Sequence, residues 1–406
     1  MSRFAVLIAG SWVLFSCGGA PAGTDGASSE TGAGEGSAAP TTLADVTGSS
    51  GQVSSGTTAA APTTSMVSTG TSTGTASTGT STGTASTGDT TSAGEGPRPD
   101  KPAGLESYLS GADADADIQP NGPGLIVMGG GTDVDEAFMW QLKYAGGGDV
   151  VVLRTSGADG YNDYLFAEIG GVDSVETLLV TSETLANEPY VAWTIAHAEA
   201  VFMAGGDQAT YLNAWKGTPV QDAIMAVWAR GGVIGGTSAG AAVLGEFIYA
   251  AYNDSVIEDE ALLDPYNQYM TFEREFLALP PLVGVITDTH FTARRRLCRL
   301  IGFVARMVED GWGEPVLGVG VDEQTALVVD PAGLATVLGV GKVHLLRSAG
   351  APQQCVTGKT LEYADLELRA LEPGDSVQLP GGAAPGAATL LSASMGALDP
   401  AYDCID

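Results

Sequence analysis

Ser238 stands in Gly236-x-Ser238-x-Gly240, after a short apolar run reaching Gly235 and before a run compatible with a helix. The pattern fits a strand–turn–helix elbow that lifts a serine hydroxyl out of a sheet edge. Glycines are expected beside the serine because the turn is strained and the helix packs close behind it. A serine hydroxyl is a weak nucleophile until a neighbouring base takes its proton. The chain offers three histidines. His197 falls inside a helical pattern just ahead of a strand and reads as structural, and His344 lies in a late β-rich run. His290 directly follows an apolar run, where open α/β sheets place their ligand crevice, and is the expected base.

A base of this kind needs a carboxylate to fix its tautomer and stabilise the imidazolium. Glu323 closes the run Gly318-Val-Gly-Val-Asp-Glu323 at a carboxyl end and ranks first. Asp288, two residues from His290, ranks as a binding or supporting group, and Asp254 and Asp264 after the elbow are alternatives. The expected oxyanion donors are the N–H groups of Ala239 and of Gly206, at the end of a neighbouring strand; one such donor contributes about 3–4 kcal/mol to the transition state. Arg294, Arg295, Arg296 and Arg299 form the densest basic patch. On a helix predicted over Thr292–Val308, Arg295 and Arg299 share a face. Guanidinium groups beside a nucleophile suit a substrate carboxylate, or else ion pairs with the many acidic side chains.

The elements that must position these groups alternate β-type runs with helical patterns from Gly124 onward, which predicts an α/β fold with a largely parallel sheet. Strands are expected at Leu125–Met128, Val150–Arg154, Thr177–Val180 and Ala200–Ala204. Helices are expected at Asp135–Ala145, Tyr190–Ala198 and Gln221–Arg230. After the elbow come Leu282–Ile286 and then short β-rich runs from Val316 to Leu346, read as antiparallel. The order Ser…His…Glu differs from the Ser…acid…His order of α/β-hydrolases, so a different sheet topology is expected. Gly129-Gly-Gly131 could cradle a phosphate, but no Lys-Ser/Thr follows and Asp133 and Asp135 would repel one. The histidines lack metal-ligand spacing. No cofactor is expected.

The net charge of −31 over 406 residues bounds the partners. Residues 101–406 carry 41 acidic and 15 basic side chains, a balance of −26. That argues against nucleic acid or an anionic membrane surface. Met1–Cys17 has Arg3, a short apolar core and Leu14-Phe-Ser-Cys17, the form of a secretion signal too short to span a bilayer. It resembles a bacterial lipoprotein signal, which implies acylation of Cys17; simple secretion is the alternative. Residues 18–104 are rich in Ser, Thr, Gly, Ala and Pro, with Thr71–Gly79 repeated as Thr80–Gly88, and read as a disordered tether. Residues 105–346 are expected to form the catalytic domain and 347–406 an extension packed on it. An exported lipoprotein, displayed at the outer membrane and held there only by its lipid, is the expected location. A Cys355–Cys404 disulfide is expected in such a chain, with Cys298 a structural thiol.

Five blocks together resemble the cyanophycinase and aspartyl-dipeptidase family of serine peptidases, and its cyanophycinase branch in particular. They are Gly129-Gly-Gly-Thr-Asp133, Gly205-Gly-Asp-Gln208, Gly235-Gly-Thr-Ser-Ala-Gly240, Asp288-Thr-His-Phe291 with Arg294-x-Arg296-x-x-Arg299, and Val321-Asp-Glu-Gln-Thr325. The resemblance implies a sheet similar to class I glutamine amidotransferases, with helices on both faces. It implies a Ser238–His290–Glu323 triad and substrate binding by Gln208, Asp288, Arg294, Arg296 and Arg299. The family cleaves after aspartyl residues, without metal and often as dimers, and cyanophycinases release β-aspartyl-arginine from an arginine-decorated poly-aspartate. The implied partner is thus a peptide or polymer with aspartyl units. Thr289 departs from the pattern, which has Gln there. The alternatives are a catalytically silent, surface-displayed binding protein on the same fold and a dipeptidase for other isoaspartyl or α-aspartyl peptides.

Overall fold

The apolar run at Leu125 is buried on both faces: Leu125 and Val127 enter one apolar cluster, Ile126 and Met128 another. A side-chain period of two demands that split, and burial of both faces is the mark of a central parallel strand. A computed structural model describes residues 96–348, 350–381, 383–402 and 404. The expected signal with Cys17, and the tether as far as residue 95, lie outside the described residues.

The first six strands are β1 (Glu106–Gly111), β2 (Gly124–Met128), β3 (Asp149–Arg154), β4 (Ser174–Leu179), β5 (Ala200–Met203) and β6 (Val233–Thr237). Five of them run parallel in the order β4-β3-β5-β6-β2, and β1 pairs antiparallel on the β4 edge. A second sheet begins with β7 (Phe247–Tyr249), β8 (Phe272–Arg274), β9 (Val285–Asp288) and β10 (Leu317–Val321). In it β7, β9 and β10 are parallel. The chain then alternates between sheets. β11 (Thr325–Val329) and β12 (Leu334–Gly339) extend the first sheet antiparallel from β2, and β13 (Val343–Arg347) and β14 (Tyr363–Leu371) extend the second from β10. β15 (Ser376–Gln378) ends the first sheet, while β16 (Thr389–Ser394) and β17 (Ala397–Asp399) end the second. The protein is therefore α/β with two mixed sheets and a β-rich C-terminus. Residues after 346 do more than pack against the body, since they supply strands to both sheets.

Helix Asp135–Ala145 covers one face of the first sheet through Phe138 and Leu142. Helices Pro189–His197 and Pro219–Ala229 share an apolar cluster with its other face and with Val285, Val319 and Leu345 of the second sheet. Helix Leu297–Glu309 covers the outer face of the second sheet.

Three further expectations are corrected. Residues 96–104 were assigned to the tether, yet Arg98 ion-pairs with Glu176 and Asp113, and Trp193 Nε1 donates to Gly96 O at 3.0 Å. The arginine helix begins at Leu297 rather than Thr292. The N–H groups of Phe291 and Thr292 are drawn to Val321 O and to the Asp322 carboxylate, and Arg295 has φ +50°, so Arg295 and Arg299 share no helical face. Finally, Cys404 pairs with Cys298, Cα–Cα 5.7 Å, and Cys355 is a buried free thiol. The C-terminal chain returns across helix Leu297–Glu309, which puts Cys298 opposite Cys404 in the same apolar cluster.

Candidate active site

Ser238 follows β6 directly, at φ 52° and ψ −117°, and the short helix Ala239–Ala242 follows it. Its carbonyl accepts from Ala241 N and Ala242 N, and its own N–H donates to Met128 O at 3.2 Å. Such a conformation in a non-glycine residue costs of order 1–3 kcal/mol and persists only where its surroundings enforce it. The flanking glycines serve close approach: a Cβ on Gly236 would lie 2.4 Å from Gly240 O, and one on Gly240 would lie 2.0 Å from Met203 O. The strain sits on the serine itself.

Ser238 Oγ is 2.8 Å from His290 Nε2, and His290 Nδ1 is 2.6 Å from Glu323 Oε1. The three groups expected from sequence thus form one hydrogen-bonded chain. They come from different places: Ser238 from the end of β6, His290 from the loop after β9, and Glu323 from the link between β10 and β11. His290 has φ 49° and is buried, and its N–H donates to Gly129 O at 2.7 Å. Burial, with the Arg294 and Arg296 charges, holds its imidazole below the ordinary 6.5, while Glu323 pulls the other way.

Sequence reasoning missed the job of the Gly129–Gly131 run. A Cβ on Gly129 would strike Asp322 O at 1.8 Å, one on Gly130 would meet the His290 ring at 2.4 Å, and one on Gly131 would crowd Glu323 Cβ at 3.2 Å. The run is the bare floor on which the histidine–carboxylate pair rests. The signal was present, since three glycines directly after a strand mark close approach, but sequence reasoning weighed the run only as a phosphate cradle, which Asp133 and Asp135 argue against.

A cleft of about 490 Å³ opens at Ser238. Gly206 and Ala239 both line it. Ala239 is the first helical residue, whose N–H has no partner within its helix. Gln208 borders the cleft with Nε2 3.5 Å from Tyr249 O. Asp288 is buried and takes a two-pronged contact from Arg299, Nε to Oδ2 at 2.8 Å and Nη2 to Oδ1 at 2.6 Å. Arg296 Nη1 donates to Thr289 O at 2.8 Å and lies 3.4 Å from Asp288. Arg294 differs: it is exposed at the cleft, and among the described residues no carboxylate pairs with it. Asp254 lies on the rim, whereas Asp264 instead accepts from Tyr266 N and Gly358 N. His197 stacks on Trp193 with ring centroids 3.7 Å apart, outside the cleft. His344 lies behind the His290 loop, beside Asp322.

An elbow serine bonded to a histidine that a carboxylate orients, at the carboxyl ends of parallel strands, is the site geometry of serine hydrolases. Comparison with known proteins narrows that class. The profile described as "Peptidase family S51" matches residues 163–334. The cyanophycinase of Synechococcus elongatus is 33% identical over 224 residues, 54% of this chain and 64% of its own length. That of Trichormus variabilis is 33% identical over 184 residues, 45% of this chain and 56% of its own. The chain therefore spans less than two thirds of either relative. A solved peptidase from an acI-B1 Actinobacterium is 18% identical, with a TM-score of 0.44 over 64% of this chain and 98% of its own. The profile and the two relatives bear out the resemblance read from the five blocks: this chain is similar to peptidase family S51 and to cyanophycinases.

Proposed function

We propose that the protein is an exported serine exopeptidase that hydrolyses aspartyl or β-aspartyl peptide bonds, with cyanophycin the first candidate substrate. The observation that carries this reading is the Ser238–His290–Glu323 hydrogen-bonded chain opening on a cleft with an exposed Arg294. In this reading Ser238 Oγ attacks the carbonyl of the aspartyl unit as its proton passes to His290 Nε2. Glu323 holds the Nδ1 proton and stabilises the imidazolium. The N–H groups of Ala239 and Gly206 receive the oxyanion. His290 then gives its proton to the departing amine, and the acyl-enzyme is hydrolysed by a water that His290 deprotonates in turn. In this reading Arg294, exposed at the cleft, receives an aspartyl carboxylate, while Arg296 and Arg299 keep the Asp288 loop rigid beside it.

Three further observations support the finer points. The Cys298–Cys404 bridge suits an oxidising compartment, as export would provide. The cyanophycinase relatives point to an aspartyl polymer. Thr289, buried in the cleft wall, favours as second reading another isoaspartyl peptide, because its short hydroxyl reaches less far than the family's Gln. Release of β-aspartyl-arginine from purified cyanophycin, by the parent and not by Ser238→Ala, is the expected result. Equal release by both would overturn the mechanism, and release from isoaspartyl peptides alone would select the second reading.

A further inference from the structure

Asp322 and Glu323 are consecutive on the chain leaving β10, and they serve opposite sides of the His290 loop. Glu323 takes the histidine ring. Asp322 takes the back of the loop: Oδ1 accepts from Thr292 N at 2.9 Å and Oδ2 from Lys342 N at 3.0 Å. His344 Nε2 lies 3.5 Å from Asp322 Oδ1 and 3.3 Å from Thr292 Oγ1. Burial alone would raise the Asp322 carboxyl, but the contacts from His344 and Thr292 outweigh it and hold the group at about 2.

The same histidine holds a ring. Phe291 packs against His344 with centroids 4.8 Å apart, and its N–H donates to Val321 O at 3.2 Å. Gly320, in register with His344 across β10 and β13, leaves bare backbone beneath Phe291; a Cβ there would sit 2.4 Å from the ring. Phe291 is thus pinned between Gly320 and His344, and Thr292 is tied to Asp322. His290 immediately precedes both, in a left-handed conformation that its surroundings must enforce. Neither Asp322 nor His344 lines the cleft.

We propose that Asp322 and His344 form a second carboxylate–histidine pair that positions His290, clamping the turn at Phe291 and Thr292 so that Nε2 meets Ser238 while Glu323 holds Nδ1. They are positioning residues and touch no substrate. The idea rests on the Ser238–His290–Glu323 reading above, so its test needs one arm independent of catalysis.

That arm is proton NMR of the full chain labelled with nitrogen-15 at histidine, where three rings give an assignable spectrum. The downfield Nδ1 proton of His290 is expected in the parent and in Ser238→Ala, and lost in Glu323→Gln. Asp322→Ala and His344→Ala are expected to lose or broaden it while circular dichroism stays that of the parent. His344→Phe, which keeps a ring against Phe291, is expected to restore part of it. In parallel, labelling of Ser238 by a fluorophosphonate is expected to slow roughly 10- to 100-fold in both alanine variants. If Asp322→Ala fails to fold, Asp322→Asn and His344→Ala decide. A parent-strength Nδ1 signal in the folded variants overturns the proposal. If the parent's Ser238 is not labelled, the catalytic reading fails, and the proton signal still decides whether the pair positions His290.

Discussion

The imidazole of His290 rests on the α-carbon of Gly130: a methyl group placed there would come within 2.4 Å of Cε1. Gly130 also has φ +91°, which L side chains rarely adopt. Gly130→Ala should therefore push the ring off Ser238 as well as strain the backbone. A displacement of about 1 Å costs on the order of 100-fold in rate, and hydrolysis by a folded Gly130→Ala variant is expected to fall by at least that much. Parent-like turnover would show that the ring has another seat.

Truncating the chain of three should have graded effects. Ser238→Ala is expected to lower kcat by roughly 10⁴- to 10⁶-fold and Glu323→Gln by roughly 10²- to 10⁴-fold, because the amide leaves the histidine in place but favours the wrong tautomer. Ser238→Ala retains the strained φ and so gains little stability. Steady-state kinetics on both variants, with thermal melts alongside, checks the order.

His290 must be neutral to accept a proton, and burial together with Arg294 and Arg296 holds it below 6.5. Activity is therefore expected to rise with pH through a value under 6.5 and then level off. Removing one of the repelling charges, Arg294→Ala, relieves the depression and should move the acid limb to higher pH. A pH profile of fluorophosphonate labelling reads this without depending on substrate binding; an acid limb that moves downward would contradict the assignment.

Asp288 and Arg299 are both almost wholly buried, at 4% and 3% side-chain exposure. Breaking such a pair leaves a charge stranded, so Asp288→Ala is expected to cost about 3–5 kcal/mol. Replacing both partners, Asp288→Ala with Arg299→Leu, should recover part of that loss. Urea unfolding of the single and double variants measures it.

The Cys298–Cys404 bridge closes a loop with a sequence separation of 106 residues. Cys404→Ser is expected to lower stability by about 2–4 kcal/mol. Cys355→Ser should have a smaller effect, since that thiol is unbridged. Burial pushes it up to about 12, so it should also resist alkylation in the folded chain. Melting with and without reductant, and thiol counting, separate the two.

Much of the parallel layer was legible because strands buried on both faces read as unbroken apolar runs, as at Leu125–Met128 and Val150–Leu153. The elbow was legible because Ser238 and its two glycines lie within five residues. What escaped depends on contacts distant in sequence. Nothing near Thr292 announces that Asp322 will capture its N–H and delay the helix to Leu297. Cys298 has no visible partner until the C-terminal chain crosses its helix. Gly318 and Gly320 alternate with valines to leave room for Leu300 and Phe291, a pattern that reads locally as a weak strand.

The serine and its base belong to different sheets, and Glu323 sits on the link that passes from one to the other. A partly folded chain holding only the parallel layer has Ser238 but no base. One holding only the second sheet has His290 without its floor of glycines. On the proposed reading the hydroxyl can be activated only where both sheets are docked, because Ser238, His290 and Glu323 meet only across them.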